Sequence, residues 1–491
     1  MKKATRRNFL KGAFLTAASL SIPVRSWAQV AGANSDIRVA TVGFNGRGGD
    51  HIKGMLKLAP EGVRMVALCD VDSKVLNAGV ETFKKRNETI EGYGDIRKLL
   101  ENKNVDAITI ATPNHWHSLA AIWSIQAGKD VYVEKPVSHN VWEGRKVVEA
   151  ARTYDKIVQT GTQSRSSHAI KEAIEWVRAG NFGQILIARG LCYKPRGSIG
   201  KTEAPQPVPD SVDYDLWCGP APKDELRRAR LHYDWHWIWN YGNGDLGNQG
   251  IHQMDIARWF LGEKELSPRV FSVGGRLGYL DDGQTPNTQI VYHDYAKAPL
   301  IFEVRGLPEK TASKNMDKFP KAIGGDEKLG SSVGVVIHCE GGTVLVPNYS
   351  SAIVYDREGK EVKRFKGDSD HFENFIQAVR SRKHTDLHAD ILEGHLSSAL
   401  CHTGNISYRL GRQASPDEIR EQIKGDRDAA ATFARMQEHL AANDVDLTST
   451  KATLGVPLKM DPWTEKFIGN AAANALLTRE YRKPYVVPER V

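Results

Sequence analysis

Five short apolar segments in the first third of the chain constrain its fold more than any other feature. They are rich in Val, Ile, Thr and Ala and comprise residues 37–44 (IRVATVGF), 63–70 (VRMVALCD), 107–112 (AITIAT), 130–135 (DVYVEK) and 157–162 (IVQTGT). Runs of this kind are typical of strands buried on both faces of a parallel sheet. Because the intervening segments are long enough for crossover helices, the sequence predicts a doubly wound α/β domain.

The turn after the first segment reads GFNGRGGDH, residues 43–51. Against the dinucleotide-binding pattern G-x-G-x-x-G, Gly43 and Gly48 take the first and third glycine positions and Asn45 takes the second. Asn tolerates positive φ better than most residues, and the adjacent Gly46 adds backbone freedom. Such a turn brings backbone N–H groups and a helix N-terminus to a pyrophosphate. We therefore predict cofactor contacts from Gly43, Asn45, Gly46, Arg47 and Gly48.

Asp70 ends the second apolar segment, in ALCDVD. A carboxylate at this position accepts both ribose hydroxyls of NAD and repels the 2′-phosphate of NADP. The alternative is a structural role as a helix N-cap. Strand, turn, helix and acid together predict an NAD site and disfavour NADP.

Residues 1–28 have the features of an export signal. TRRNFLKG (5–12) carries two consecutive arginines, residues 13–22 are apolar, and Ser26-Trp27-Ala28 fits an A-x-A-type peptidase site. The segment resembles a twin-arginine signal, which directs already folded proteins across the membrane. We expect a periplasmic or otherwise exported protein and the twin-arginine export machinery as a partner.

Charge and cysteine usage exclude several classes of function. The chain has a formal net charge of +8, but six of its basic residues lie in the signal, and no basic run with interleaved aromatics follows. Nucleic acid is therefore not an expected partner. The five cysteines form no C-x-x-C pair, so we expect no disulfide framework. His384 and His388 have i, i+4 spacing but lack the glutamate of H-E-x-x-H, and His395 and His402 drift around the helix, so we expect no metal site.

Three further motifs carry a family resemblance. ATPNHWH (111–117) ends the third segment, EKPVSHN (134–140) follows the fourth, and GNQGIHQMDIARWFLG (247–262) lies beyond them. The T-P-N, E-K-P and G-x-H-x-x-D elements, in this order after a nucleotide-binding turn, resemble the Gfo/Idh/MocA oxidoreductases. The resemblance extends to about residue 410 and implies an N-terminal Rossmann domain and a C-terminal α/β domain with a large open, mostly antiparallel sheet.

The resemblance also implies a domain plan and an activity. We expect a signal peptide (1–28), a Rossmann NAD-binding domain (36–163), a substrate domain with an aromatic-rich insert (164–410), and an extension that packs back on the protein (411–491), with packing on a neighbouring subunit as the alternative. Members of the family oxidise or reduce a hydroxyl carbon of sugars, cyclitols or related molecules with NAD or NADP. The open sheet often forms an oligomer interface, so a homo-oligomer is expected.

Matched positions assign roles near the reacting carbon. Lys135 would lie beside the nicotinamide and the substrate hydroxyl, and His252 would be the acid/base. Many members carry an Asp at the position of Asn248, and an amide cannot act as a base, so Asp255 or Asp245 is a candidate carboxylate. A structural role in the core is the alternative for His252. The expected catalytic residues are Lys135, His252, Asn248 and Asp255, and the further cofactor-binding residues are Thr112, Pro113, Asn114, His117, Glu134, Lys135 and Gln163.

The insert is rich in aromatic residues. Trp235, Trp237 and Trp239 alternate as on one side of a strand, and Trp217 precedes them. Aromatic faces can stack on the apolar C–H faces of a sugar, whereas the alternative is packing of a loop onto the sheet. The expected substrate-binding residues are Arg165, Trp235, Tyr241 and His252.

The export signal and the nucleotide site together predict how the cofactor is used. Nicotinamide cofactors are held in the cytoplasm, so an exported Rossmann protein must fold around its NAD first. We expect tightly bound NAD that is recycled in the catalytic cycle of an oxidoreductase acting on a sugar, glycoside or cyclitol. The alternatives are redox-neutral glycoside cleavage by oxidation, elimination and reduction, and a non-catalytic sugar-binding protein.

Overall fold

The computed structural model describes residues 36–310, 315–319 and 330–491, and the predicted signal at 1–28 lies outside them. The strands are β1 Ile37–Val42, β2 Val63–Cys69, β3 Glu91–Tyr93, β4 Ala107–Ile110, β5 Asp130–Val133, β6 Val158–Thr160, β7 Ile185–Tyr193, β8 Arg269–Gly275, β9 Thr288–His293, β10 Leu300–Arg305, β11 Val333–Cys339, β12 Gly342–Asn348, β13 Ser351–Asp356, β14 Glu361–Lys366, β15 Arg412–Ala414, β16 Ala452–Leu454, β17 Leu458–Asp461 and β18 Lys466–Phe467.

The α-helices are α1 Arg47–Lys57, α2 Ser73–Lys85, α3 Ile96–Leu100, α4 Asn114–Gln126, α5 Val141–Thr153, α6 His168–Trp176, α7 Tyr214–Cys218, α8 Ile251–Leu261, α9 His371–Ser381, α10 Ile391–Arg409, α11 Pro416–Ile423, α12 Arg427–Ala441 and α13 Ala471–Ala475. Among the helices of the described residues, none is both long enough and apolar enough to cross a membrane.

The first sheet is a six-stranded parallel sheet in the order β3-β2-β1-β4-β5-β6. Its two faces are covered by separate apolar clusters, one formed with α4 and α5 and the other with α1 and α9. The five predicted strands are confirmed with ends shortened by one or two residues, and β3 is an additional edge strand. The doubly wound fold class is therefore confirmed.

The second sheet has twelve strands among the described residues, and its main path runs β14-β13-β12-β11-β7-β10-β9-β8-β16-β15. All of its pairs are antiparallel except β7 with β10. Helices α6, α8 and α10 pack against one face and form the largest apolar cluster. This architecture confirms the predicted C-terminal α/β domain with a large, mostly antiparallel sheet.

The last part of the chain packs on the same molecule. Strands β15, β16 and β17 lengthen the second sheet beside β8. Helices α11 and α12 bury Ile419, Phe433 and Met436 against the opposite face, where Ile187 and Ile301 lie. The extension therefore covers part of the sheet face opposite α6, α8 and α10.

The predicted strand through Trp235, Trp237 and Trp239 is wrong. Residues Asp234–Trp237 form a 3-10 turn, and the Trp237 carbonyl accepts from the backbone N–H groups of Gln284 and Thr285, which lie in a loop and not in a strand. Trp235 and Trp237 are buried, but they pack around a turn and not along one face of a sheet. An alternating pattern produces a strand only where a neighbouring strand accepts its hydrogen bonds.

Candidate functional site

A cleft of about 1090 Å³ lies between the two sheets, at the carboxyl ends of the parallel strands. The residues that end β1, β2, β4 and β5 line one wall, including Gly43, Asp70, Thr112 and Lys135. The second domain and its insert line the other wall. The carboxyl edge of a doubly wound sheet is where such folds bind their ligands, because the strand order reverses there and leaves a crevice.

The glycine turn has the geometry of a dinucleotide-binding turn. Gly43 has φ of +75°, and a Cβ there would lie 2.9 Å from the backbone nitrogen of Thr112. A Cβ on Gly48 would lie 2.0 Å from the carbonyl oxygen of Gly43, so only glycine lets α1 approach β1 this closely. At Gly46 a Cβ would meet nothing within 4 Å, because the turn faces open space.

Two helices begin at this edge of the cleft. Helix α1 starts at Arg47 and α4 starts at Asn114, directly after Thr112 and Pro113. The N-termini of these helices supply N–H donors and positive potential, which suit a pyrophosphate. The Thr112 hydroxyl is buried and has no hydrogen-bond partner among the described residues. The residues present therefore fit the phosphate groups of a dinucleotide.

Asp70 is held in place by its own backbone neighbourhood. One carboxylate oxygen accepts from Phe44 N at 3.0 Å and the other accepts from Asp72 N at 3.0 Å. Burial raises the pKa of Asp70, and these two N–H donors oppose that shift. The N-cap of α2 is Asp72. Asp70 is therefore not the N-cap of α2. It lines the cleft, as a ribose-binding carboxylate would.

Glu134 organises the cleft floor next to Lys135. Its carboxylate accepts from Arg47 Nε at 2.8 Å and lies 3.1 Å from His51 Nε2. Gln163 Nε2 donates to the same oxygen at 3.3 Å. Burial alone would raise the pKa of Glu134, but His51 and Arg47 hold it well below its ordinary value. The glutamate is therefore ionised and fixes the position of Arg47 beside the glycine turn.

Lys135, Asn248 and His252 meet at the junction of the two domains. Lys135 Nζ donates to the backbone carbonyl of Asn248 at 2.5 Å, and all three residues line the cleft. Burial lowers the pKa of Lys135, with Glu134 opposing the shift. Burial and the nearby Lys135 charge lower the pKa of His252 to about 3. His252 is therefore a neutral imidazole at physiological pH, and its Nδ1 has no hydrogen-bond partner among the described residues.

Three aromatic or imidazole groups complete this end of the cleft. Trp235 stacks on His236 with ring centroids 3.6 Å apart. The Tyr349 ring lies 5.2 Å from that of His252, and its hydroxyl accepts from Gln249 Nε2 at 3.1 Å. Neither His236 nor Tyr349 is among the site residues predicted from the sequence. Tyr349 lies in a turn between two late strands, and no local pattern connects it with the His252 helix.

Arg165 and Asp255 lie behind the cleft, which corrects two expectations. Arg165 donates through Nε and Nη2 to Asp255, with distances of 2.8 to 3.0 Å, and lies 3.0 Å from Glu393. Ser397 also donates to Asp255, and Arg258 is 3.7 Å away. Two buried arginines therefore share two carboxylates, so Arg165 serves packing in place of substrate binding. Asp255 supports the helix of His252 and is not positioned as a base.

Tyr241 requires a similar correction. It is 1% exposed, and its hydroxyl donates to the carbonyl of Pro222 at 3.0 Å. The ring packs against Trp217 inside the insert, so Tyr241 stabilises the insert and does not reach the cleft.

His117 and Asn114 lie at the base of α4. The two ring nitrogens of His117 lie 2.6 Å from the carbonyl of Pro136 and 2.7 Å from that of Thr112. Asn114 Nδ2 donates to Asn243 Oδ1 at 3.1 Å. Both residues line the cleft while tying the strand ends together. Within the described ranges, no group of three or more His, Cys, Asp or Glu side chains could hold a metal ion.

The fold and the cleft define a two-domain α/β protein with a dinucleotide site between its domains. Residues 37–162 match the family model "Oxidoreductase family, NAD-binding Rossmann fold", and residues 184–302 match "Oxidoreductase family, C-terminal alpha/beta domain". Both models describe Gfo/Idh/MocA proteins. The chain belongs to the Gfo/Idh/MocA oxidoreductase family.

Curated relatives match over part of their length. A "Glycosyl hydrolase family 109 protein" of Shewanella baltica (strain OS155) is 29% identical over 209 residues, which is 38% of this chain and 45% of that protein. A "1-carboxy-3-chloro-3,4-dihydroxycyclo hexa-1,5-diene dehydrogenase" of Comamonas testosteroni is 24% identical over 279 residues, 54% of this chain and 61% of that one. The chain thus spans about half the length of the curated relatives it matches.

Solved structures share the fold. The WlbA dehydrogenase of Bordetella pertussis, in complex with NADH and UDP-GlcNAcA, superposes with a TM-score of 0.54 at 20% identity and covers 74% of this chain and 94% of its own. Myo-inositol 2-dehydrogenase from Lactobacillus plantarum gives 0.52 at 17% identity, with 75% and 96% covered.

Proposed function

We propose that this protein is an NAD-dependent oxidoreductase that acts on a hydroxyl carbon of a sugar, glycoside or cyclitol. The observation that carries the proposal is the junction of Lys135, Asn248 and His252 at the carboxyl end of β5, inside one cleft with Asp70. Asp70 favours NAD over NADP, because its carboxylate would repel a 2′-phosphate.

The side chains at the junction have complementary roles. When bound, NAD supplies a hydride acceptor beside the substrate carbon. Neutral His252 accepts the proton of the substrate hydroxyl, since burial keeps its imidazole unprotonated. Lys135 donates a hydrogen bond to the same oxygen and stabilises the negative charge that develops there. Asn248 orients Lys135 through its backbone carbonyl, a contact that does not depend on the Asn248 side chain.

We further propose that NAD is a resident cofactor of an exported protein. The twin-arginine-like signal at 1–28 would carry the protein out already folded, with its NAD in place. Outside the cytoplasm the reduced cofactor must then be reoxidised on the protein, by a second substrate or by a later step on the same one.

The first test is the small-molecule content of the purified full chain. After expression in the cytoplasm and gel filtration, the protein is denatured and the supernatant is analysed by absorbance and mass spectrometry. One NAD or NADH per chain is the expected result. A chain that carries no dinucleotide and binds none from solution would contradict the proposal.

A second candidate function is redox-neutral cleavage of a glycoside. It is favoured by the matched relatives named as family 109 glycosyl hydrolases. In this reaction, oxidation of one sugar carbon would acidify a neighbouring C–H, and loss of that proton would expel the glycosidic substituent. Water would then add to the double bond so formed, and the carbonyl would be reduced again. Cleaved glycoside without net redox change supports it, whereas equal consumption of an oxidisable and a reducible sugar supports the first candidate.

Substitution of Lys135 distinguishes the two candidate enzymatic functions from that of a non-catalytic sugar-binding protein. Lys135→Ala should lower turnover by a factor of about a hundred or more and leave NAD bound, since Lys135 lies at the reacting end of the cleft. Unchanged behaviour of this variant in turnover and sugar-binding assays would favour binding alone.

A further inference from the structure

Residues 206–241 of the second domain, hereafter the cap, are joined to the Rossmann domain along the loop after β2. Asp213 N donates to Val71 O at 3.0 Å, and Ser73 N donates to Ser211 O at 2.8 Å. Further along the cap, His232 Nε2 lies 3.0 Å from the carboxylate of Asp72. The cap therefore lies against the loop that carries Asp70.

A second attachment joins the cap to the start of α4. Trp116 Nε1 donates to the Leu216 carbonyl at 2.9 Å, and His115 Nε2 lies 2.9 Å from the Trp217 carbonyl. The contact is close, because a Cβ on Gly219 would lie 2.2 Å from the Trp116 ring. The cap thus bridges the two loops that border one half of the cleft.

Between these attachments the cleft has a mixed apolar and acidic lining. Leu216, Trp217 and Leu231 of the cap line it together with Ile96 and Asp70 of the Rossmann domain. A flat purine fits between apolar side chains, and the adjoining ribose fits the carboxylate. In this half of the cleft, the parallel sheet forms one wall and the cap forms the other.

The end of the chain holds the cap from outside. Residues 479–487, hereafter the tail, place Arg482 against α7 of the cap. Its Nη1 donates to Asp215 Oδ1 at 2.7 Å and its Nε donates to Gly219 O at 3.1 Å. Tyr485 donates to Asp215 Oδ2 at 3.2 Å, and its buried ring lies 5.6 Å from that of Trp116.

The tail is also fastened to the Rossmann domain. Tyr481 donates to Glu143 Oε1 of α5 at 2.9 Å, and the Arg97 guanidinium lies 5.3 Å from the centre of the Tyr485 ring. Tyr485 and Val487 belong to the apolar cluster on one face of the parallel sheet. The tail therefore connects the cap to the Rossmann domain, against which the cap packs.

We propose that the cap forms the outer wall of the adenosine subsite and that the tail acts as its clasp, so that NAD leaves only when the tail releases the cap. The proposal rests on the proposed function, because it takes NAD as the ligand of the cleft. It assigns the retention of the cofactor to Arg482 and Asp215, which do not line the cleft themselves.

The test is the rate at which bound NAD exchanges with isotope-labelled NAD. The NAD-loaded full chain is mixed with excess labelled NAD, samples are desalted and denatured over time, and the released dinucleotide is weighed by mass spectrometry. Arg482→Ala should speed exchange by roughly tenfold, the fold-change expected when a hydrogen bond to a charged group is lost. Asp215→Asn removes the charge from the cap side of the same contact and should act in the same direction.

Arg490→Ala is the matched control, because Arg490 is exposed near the end of the chain. It should exchange at the wild-type rate. If Arg482→Ala does not fold, the isosteric Asp215→Asn decides the question, with circular dichroism as the check of its fold.

The outcomes separate the clasp from the function. A wild-type chain that holds NAD, with exchange unchanged in both clasp variants, would overturn the clasp and leave the proposed function standing. A wild-type chain that binds no NAD would overturn both. Faster exchange in Arg490→Ala as well would show a general effect of positive charge near this end of the chain and would also refute the clasp.

Discussion

Replacement of Asp255 by Asn tests whether this carboxylate supports the fold or takes part in the chemistry. In the wild type, Asp255 and Glu393 neutralise Arg165 and Arg258, and Asp255 is fully buried. Burial would raise the pKa of Glu393, but the two arginines lower it to about 2, which shows how strongly these buried charges interact. Asp255→Asn keeps the shape of the side chain and leaves two buried guanidinium groups with one carboxylate.

The expected cost of this change is about 3 kcal/mol of unfolding free energy, the lower end of the range for a buried ion pair that loses one partner. Urea unfolding followed by tryptophan fluorescence measures it, since Arg165 also lies 5.1 Å from the centre of the Trp259 ring. Glu101→Gln is the matched control, because Glu101 pairs with Lys98 on the surface and its loss should cost less than about 1 kcal/mol.

Turnover of the folded Asp255→Asn variant should stay within about threefold of wild type. Asp255 lies behind the His252 helix and affects the reaction only by holding that helix in position. A loss of turnover by a factor of about a hundred, at an unchanged urea midpoint, would refute this reasoning and restore Asp255 to the catalytic set.

Three further predictions concern the cleft. Lys135→Ala should lower kcat by a factor of about a hundred or more while one NAD per chain is retained, as measured by turnover and by dinucleotide release; loss of the NAD itself would place Lys135 in cofactor binding. His252 has a folded pKa of about 3, below its unfolded value, so its stabilising effect is complete above about pH 6.5 and is lost as the pH falls towards 3. His252→Asn should therefore lessen the acid dependence of the unfolding free energy by about 1.4 kcal/mol per pH unit between about pH 6 and 4, and an unchanged slope in urea titrations would contradict the depressed pKa. Gly48→Ala should lower the free energy of unfolding by about 1–3 kcal/mol and weaken NAD binding, because its Cβ would meet the Gly43 carbonyl. Gly49→Ala is the control, because its Cβ would have only one neighbour, at 3.9 Å. This variant should retain both its stability and its NAD affinity, as measured by calorimetry.

The sequence was sufficient for the features that depend on local order. Strand periodicity identified five of the six parallel strands, because strands buried on both faces need continuous apolar runs. The glycine turn and Asp70 were visible for a similar reason: backbone approach to a phosphate and the position of a strand end are properties of a few consecutive residues.

Tertiary structure decided which side chains face the cleft. Arg165 and Asp255 are 90 residues apart, and their pairing behind the His252 helix follows from how the turn Gln163–Ser166 packs against α8. Tyr349 enters the site from a turn between β12 and β13. Trp235 lies on a 3-10 turn, where none of the strands in the described ranges pairs with the insert.

The cap and the tail show most clearly which features the sequence determined and which only the tertiary structure decided. The sequence by itself determined a Rossmann domain, a second α/β domain and an aromatic insert, because composition and periodicity act over short stretches. It did not determine that Arg482 would reach Asp215 across 267 residues and hold the insert over the cleft. That contact depends on the packing of segments distant along the chain, and only the folded structure brings them together.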